Sequence, residues 1–441
     1  MPTGCECQYG YPMSEVVDLA RALVRYDTTN TSDDGATGNE RPAAEFVAER
    51  LADAGFQPVY LESAPKRGNV VVRLPGADPS RGALLVHGHL DVVPADASEW
   101  SVPPFAGEIR DGYLWGRGAI DMKHMVAMAL AVARRFKRDN IVPPRDLVFA
   151  FVADEEAGGR QGAGWLVEQH RDLFDGVTEA ISEVGGFSYT VRDDVRAYLV
   201  ETAEKGVMWL RLKVRGTPGH GSMLHTDNPV AKLTKALARL ESHEFPQVLH
   251  PAVRDFLAGV SDLTGVAFDP DDPQAAVARL GSLARMIGAT LRDTANTTML
   301  KAGYKANVVP SVAEATVDGR MLPGRERAFE RELAEVLGPD VEMDWDMLPP
   351  VETTFDGRLV DAMAAAIDAE DPGARLLPYM LSAGTDAKSF QRLGIRHFGF
   401  APLRLPPDLN FTALFHGIDE RVPLDGLEFG ERVLDRLLRT C

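Results

Sequence analysis

The sequence predicts an α/β protein: a doubly wound, mostly parallel sheet interrupted by a smaller inserted βαββαβ domain. Three observations predict it. Strand-length apolar runs alternate with helical periodicity up to about residue 201. Near residue 202 the pattern changes to strands in which apolar and polar residues alternate, as in half-exposed strands. After about residue 349 the first pattern returns. The expected organisation is one larger domain in two parts, 1–201 and 349–441, with an insertion over 202–348. A chain of 441 residues is in any case too long for one ordinary core.

The elements follow in order. Helical spacing of apolar residues runs over 13–25 and 39–54, and NVVVRLPG (69–76) and GALLVHGHL (82–90) read as strands. DMKHMVAMALAVARRF (121–136) predicts a helix, DLVFAFVAD (146–154) a buried strand, GWLVEQHRDLF (164–174) a helix and TEAISEVGGF (178–187) a strand. In the insertion, KGVMWLRLKVRG (205–216) is a strand and a helix follows at about 228–242. NTTMLKAG (296–303), KANVVP (305–310) and AEATVDGRML (313–322) are strand candidates; RERAFERELAEVL (325–337) is a helix and VEMDWDM (341–347) a strand. Residues 246–291 fit none of these and predict a helical elaboration. The closing part carries the strand ARLLPYM, the turn SAGTDA, a short helix, the strand IRHFGF and a C-terminal helix near 424–439.

Composition removes some function classes. Hydrophobic residues make up 45% and charged residues 25%, an ordinary globular balance, and the formal net charge is -18. A nucleic-acid partner would call for a basic surface, so none is expected. No apolar run reaches about 18 residues and no signal-peptide pattern opens the chain, so no membrane partner is expected and the cytoplasm is the default compartment. The three cysteines, Cys5, Cys7 and Cys441, imply no disulfide framework. Cys5 and Cys7 read as part of a disordered tail.

Chemistry collects at strand ends. The apolar run LVFAFVA runs into Asp154, Glu155 and Glu156 and then two glycines. Adjacent carboxylates repel and lose hydration near a core, so a compensating charge is required. In LLVHGHLDVVP, His89 and Asp91 lie two residues apart on one side of a strand end, where a carboxylate can hold a metal-binding imidazole. His87 shares that face, as a rival ligand or as a hydrogen-bonded neighbour. GRGAIDMKH places Asp121 at a helix mouth, as a cap or as a bridging carboxylate. AISEVGGFS supplies Glu183 at another strand end, and ALFHGIDERVP supplies His416, a ligand or a polar loop residue. Two histidines and three acids suffice for a two-metal site with one shared carboxylate, and a donor set without thiolate suits catalytic zinc. The neighbouring acids then divide the work: Glu156 as ligand, Glu155 as proton acceptor and Asp154 as the end of the strand.

HGHLDVVP, GRGAIDMKH, DEEAGG, SEVGG and FHGIDERVP stand in an order and spacing that resembles the dinuclear zinc metallopeptidase family of aminoacylase, acetylornithine deacetylase, succinyl-diaminopimelate desuccinylase and glutamate carboxypeptidase. The resemblance covers about residues 14 to 437. It implies that His89, Asp121, Glu156, Glu183 and His416 bind two zinc ions (cobalt or manganese as substitutes), with Asp121 bridging. It further implies that Asp91 orients His89, that Glu155 is the general base and that the Asp121–Met122 peptide is cis. The insertion resembles the family's lid and dimerisation domain, so a homodimer is expected. His220, in GTPGHGS, would polarise the scissile carbonyl. Arg320 and Asn307 would hold a substrate carboxylate, and Gly384 and Thr385 would belong to a substrate-binding loop.

The implied reaction is hydrolysis of the amide bond of N-acyl amino acids or of C-terminal peptide bonds. A dipeptidase or aminopeptidase of the same family and a non-catalytic ligand-binding relative are the rival readings. The sequence departs from the family where His124 replaces the usual glycine, expected here to face the surface. It departs again in the longer 246–291 segment. Glutamate rather than aspartate at 183 is, in this family, more typical of acylases and carboxypeptidases than of aminopeptidases.

Overall fold

The segment Leu147–Val152 (LVFAFV) is a strand with every residue buried. Unbroken burial means that both of its faces are covered, which explains why its sequence does not alternate. In the computed structural model, which describes residues 13–31, 38–192 and 195–441, this strand pairs in parallel with Ala83–His89. Ala83–His89 pairs in parallel with Val177–Ser182, and Val177–Ser182 in parallel with Arg396–Gly399. The centre of the sheet is therefore parallel. Its rims are antiparallel: Val59–Glu62 and Gly68–Leu74 on one side, and Val195–Glu204 beyond Arg396–Gly399 on the other. Parallel strands put their C-terminal ends on one edge, so the residues after His89, Val152 and Ser182 emerge together.

These strands, Val195–Glu204 as far as Glu201, belong to the first of two compact units, made of the chain up to Glu201 with Thr354–Leu377 and Thr385–Cys441. Helix Lys123–Arg138 packs against helices Glu15–Val24 and Leu424–Thr440, and residues 123 to 133 are all buried. The predicted helix over 164–174 is broken at His170 into helix Ala163–Gln169 and a short 3-10 turn, Arg171–Phe174. Several elements were not foreseen, among them strands Val59–Glu62 and Val195–Glu204 and helix Arg358–Glu370. Cys441 is buried, and Cys5 and Cys7 lie outside the described residues.

The second unit comprises Thr202–Thr353 and Pro378–Gly384. Its antiparallel sheet has the order Thr294–Ala302, Val312–Met321, Gly206–Arg215, Glu342–Leu348. Burial in Val312–Met321 alternates residue by residue, as a sheet covered on one face requires. The covered face packs Leu210, Leu212 and Val317 against Phe329 and Leu333 of helix Glu326–Leu337 and Leu233 of helix Pro229–Glu241. The 246–291 segment is helical, with Pro251–Thr264, Pro273–Val277 and Ala284–Gly288. The strand predicted over 305–310 shrinks to Val308–Val309, paired with Gly219–His220. Among the described residues, no helix is long and apolar enough to cross a membrane.

Candidate metal centre

His89 closes its strand with the ring turned toward carboxylates. Its Nε2 lies 3.1 Å from Asp121 Oδ1, 3.6 Å from Glu183 Oε2 and 3.9 Å from Glu155 Oε2. On the other side of Asp121, His416 Nε2 lies 3.2 Å from Asp121 Oδ2 and 3.1 Å from Glu156 Oε2. Two donor groups result, His89–Asp121–Glu183 and Asp121–Glu156–His416, each with its atoms within 4.8 Å of one another. Asp121 is common to both and offers one oxygen to each. All five candidate ligands thus meet in one place within the first unit, with Glu155 beside them.

Asp91 holds this arrangement from behind. Its Oδ1 lies 3.4 Å from His89 Nδ1, and the same ring nitrogen is 3.0 Å from the Asp91 carbonyl oxygen. With Nδ1 engaged, Nε2 faces the carboxylates. The Asp91 carboxylate also accepts the backbone N–H groups of Glu155 at 3.1 Å and Glu156 at 3.2 Å. One side chain therefore fixes both an imidazole and the acidic turn. That turn needs its glycines: Gly158 and Gly159 have φ of 94° and 69°, and a Cβ on Gly162 would sit 1.7 Å from the Ala153 carbonyl oxygen.

The charges couple strongly. Burial is the largest influence on His89 and opposes its charge, but Glu183, Asp121 and Asp91 outweigh it and hold the imidazole well above its usual range. Hydrogen bonds donated to Asp121 and then to Glu156 raise His416 to about 10. Burial works against ionisation of Asp121, yet its bonds to His416 and His89 hold it well below the usual carboxylate range. Burial, reinforced by neighbouring acids, pushes Glu156 and Glu183 up to about 7 and Glu155 well above its ordinary value.

The donor chemistry fits a pair of divalent cations. Four carboxylates, those of Asp121, Glu155, Glu156 and Glu183, face two imidazoles, an excess of negative charge that cations would offset. Glu156 Oε1 is buried with no hydrogen-bond partner. Oxygen and nitrogen donors without thiolate suit catalytic rather than structural coordination.

A model of the peptidase family M20/M25/M40 matches residues 85–440, which includes every residue of this centre. The chain belongs to the M20/M25/M40 peptidase family. It is 29% identical to aminoacylase-1 of Sus scrofa over 423 residues, covering 92% of this chain and 90% of that protein. It is 27% identical to the N-fatty-acyl-amino acid synthase/hydrolase PM20D1 of Xenopus tropicalis, covering 94% and 83%. Its fold is similar to that of the M20 metallo-carboxypeptidase Sso-CP2 of Sulfolobus solfataricus, with a TM-score of 0.73, 17% identity, and 97% and 99% coverage. The dipeptidase Dug1p of Saccharomyces cerevisiae gives a TM-score of 0.71 at 17% identity over 96% and 95%.

Other M20 candidates are placed as follows. His87 belongs to neither donor group; its Nε2 is 2.8 Å from Nε2 of His397, so it is the hydrogen-bonded neighbour. His124 corrects the sequence reading: it is buried, because helix Lys123–Arg138 enters the core at its first turn, and burial lowers its imidazole to about 4. Thr385 is buried in the first unit, where its Oγ1 accepts the Ala387 N–H. Gly384 belongs to the second unit. There the exposed His220 and Asn307 are brought together, since the Gly221 N–H donates to the Asn307 carbonyl at 2.8 Å. Arg320 has Nε and Nη2 engaged by Asp318 at 2.6 and 2.9 Å, so a substrate carboxylate would meet Nη1 or compete with Asp318.

The sequence reading missed Glu420. Its buried carboxylate accepts from Gly118 N at 3.0 Å, Ile120 N at 2.6 Å, Asp121 N at 3.0 Å and Arg117 Nη1 at 2.7 Å. It thereby fixes the loop that delivers Asp121, whose peptide to Met122 is cis. FHGIDERVP contains Glu420, but nothing in that string distinguishes it from a surface acid. We predict that Glu420→Ala, which strands buried Arg117, costs about 3–5 kcal/mol of stability. Denaturant unfolding checks this, and an unchanged midpoint would contradict the anchoring role.

Proposed function

We propose that this chain is a two-metal amidohydrolase that cleaves N-acyl amino acids or C-terminal peptide bonds. The observation that carries the reading is the pair of donor groups sharing Asp121, with the Glu155 carboxyl 3.9 Å from His89 Nε2 and outside both groups. His89, Asp121 and Glu183 would hold one ion, and Asp121, Glu156 and His416 the other, with zinc as the metal the donor set favours. When bound, the ions supply Lewis acidity and positive charge.

The protein's own contribution begins at Glu155. Its carboxylate takes a proton from the attacking water as the water oxygen bonds to the amide carbon, then returns it to the leaving nitrogen as the C–N bond breaks. Asp91 keeps Glu155 in place through the backbone and keeps His89 facing the cluster. His220 is assigned the polarisation of the carbonyl oxygen, and Arg320 and Asn307 the recognition of the substrate carboxylate, for which a planar guanidinium is suited. Gly384 and Thr385 are assigned to the substrate-binding loop. The similarity to aminoacylase-1 and PM20D1 along most of both chains supports acylated amino acids over free dipeptides.

We also assign a homodimer to the second unit. Edge strand Thr294–Ala302 exposes seven consecutive residues, including Met299 and Leu300, and unpaired apolar edges invite pairing. Light scattering of the purified protein should give a dimer and Leu300→Lys a monomer; a monomeric wild type would remove this assignment. Few cysteines, with Cys441 buried, agree with a cytoplasmic setting.

The deciding assay mixes N-acetyl, N-succinyl and long-chain N-acyl amino acids with free dipeptides and C-terminally blocked peptides, and follows released amine by mass spectrometry. Cleavage that needs a free carboxylate is expected; cleavage only of substrates with a free amine would replace the reading by a dipeptidase. Glu155→Gln should retain two metals by elemental analysis and lose about 100-fold or more of turnover. Full activity in that variant would overturn the assignment of the base.

A further inference from the structure

The metal-hydrolase reading gives no role to Asn30, Glu40, Arg67 or Asp154, although all four are buried and lie directly behind the acidic turn. Asn30 Nδ2 donates to Asp91 Oδ2 at 2.8 Å and to Asp154 Oδ1 at 3.1 Å. Arg67 Nη1 faces Asn30 Oδ1 at 3.5 Å, while its Nη2 bonds Asp154 and lies 3.1 Å from Glu40 Oε1. The other Asp154 oxygen accepts the Gln161 N–H at 2.8 Å. The backbone of Asn30 is itself fastened, with its N–H donating to the Val92 carbonyl at 2.9 Å.

The chemistry of the amide explains why asparagine stands there. Two buried carboxylates, Asp91 and Asp154, flank it and would repel each other. A neutral side-chain NH2 supplies one proton to each, and its carbonyl oxygen turns to the arginine. No other uncharged side chain as short offers two donors from one atom together with an acceptor. Asp91 is the residue that touches His89 and both N–H groups of Glu155 and Glu156. Whatever fixes the Asp91 carboxylate therefore fixes one imidazole, one carboxylate ligand and the proton acceptor together.

We propose that Asn30 is a positioning residue for the metal centre, acting through Asp91, and that Arg67 and Asp154 form the buried frame that holds it. This rests on the metal-hydrolase reading. It goes beyond that reading by placing the control of metal affinity and of Glu155 in residues that touch neither metal nor substrate.

The test compares Asn30→Ala, Asn30→Asp and Thr28→Val with the wild-type chain. Thr28 Oγ1 donates to the Leu90 carbonyl at 2.6 Å in the same buried strip but does not reach Asp91, so it reports a purely structural loss. Zinc affinity is read by competition with a chromogenic chelator, and kcat and KM separately on the best substrate of the panel. Asn30→Ala should weaken zinc binding by about 10–100-fold and lower kcat with KM unchanged. Asn30→Asp should do no better despite its shape, because it sets a third carboxylate between two. Thr28→Val should lose stability and keep wild-type zinc affinity. Wild-type affinity and kcat in Asn30→Ala, or equal losses in Thr28→Val, would overturn the proposal. A wild-type chain that took up no metal would overturn the underlying reading, and the positioning role with it.

Discussion

The structure depends on how the first unit manages negative charge at the C-terminal edge of its parallel strands. Asp91, Asp121, Glu155, Glu156 and Glu183 converge there in a largely buried space, with His89 and His416 in direct contact with them. Desolvation alone would drive such carboxylates to protonate. The fold offsets this with short, directed contacts: imidazoles on Asp121, backbone N–H groups on Asp91 and Glu420, and a guanidinium on Asp154. Divalent cations would complete the compensation and convert a costly cluster into a reactive one.

Three adjacent acids illustrate how finely the labour is divided. Asp154, with φ of 71°, turns back into the protein to meet Arg67, Asn30 and the Gln161 N–H. Glu155 and Glu156 turn toward the histidines, one near His89 and one near His416. A single step along the chain changes the partner from a permanent arginine to a candidate metal. Because the N–H groups of Glu155 and Glu156 share one acceptor, Asp91, displacement of either would disturb both. That coupling is a physical reason for the acids to be consecutive.

Much of the fold was legible because burial on both faces leaves an unbroken apolar run, as in Leu147–Val152, and burial on one face leaves alternation, as in Val312–Met321. Strand Val195–Glu204 was not, because its eight buried residues include Glu201, Thr202 and Glu204, which break the apolar signature. Helix Arg358–Glu370 was blurred by alanines on every face. The candidate ligands were visible because their residue types and strand-end positions announce metal chemistry. Glu420, Asn30 and Arg67 were invisible for the opposite reason: their side-chain contacts reach residues 27 to 303 positions away and leave no local pattern. His124 misled because a titratable side chain in the first turn of a helix ordinarily faces water, whereas this helix begins inside the core.

The most direct measurement is anomalous X-ray diffraction at the zinc edge on crystals of the zinc-loaded protein. Two peaks are expected, one among His89, Asp121 and Glu183 and one among Asp121, Glu156 and His416, roughly 3.5–4 Å apart. A single peak, or zinc bound away from Asp121, would contradict the two-metal reading.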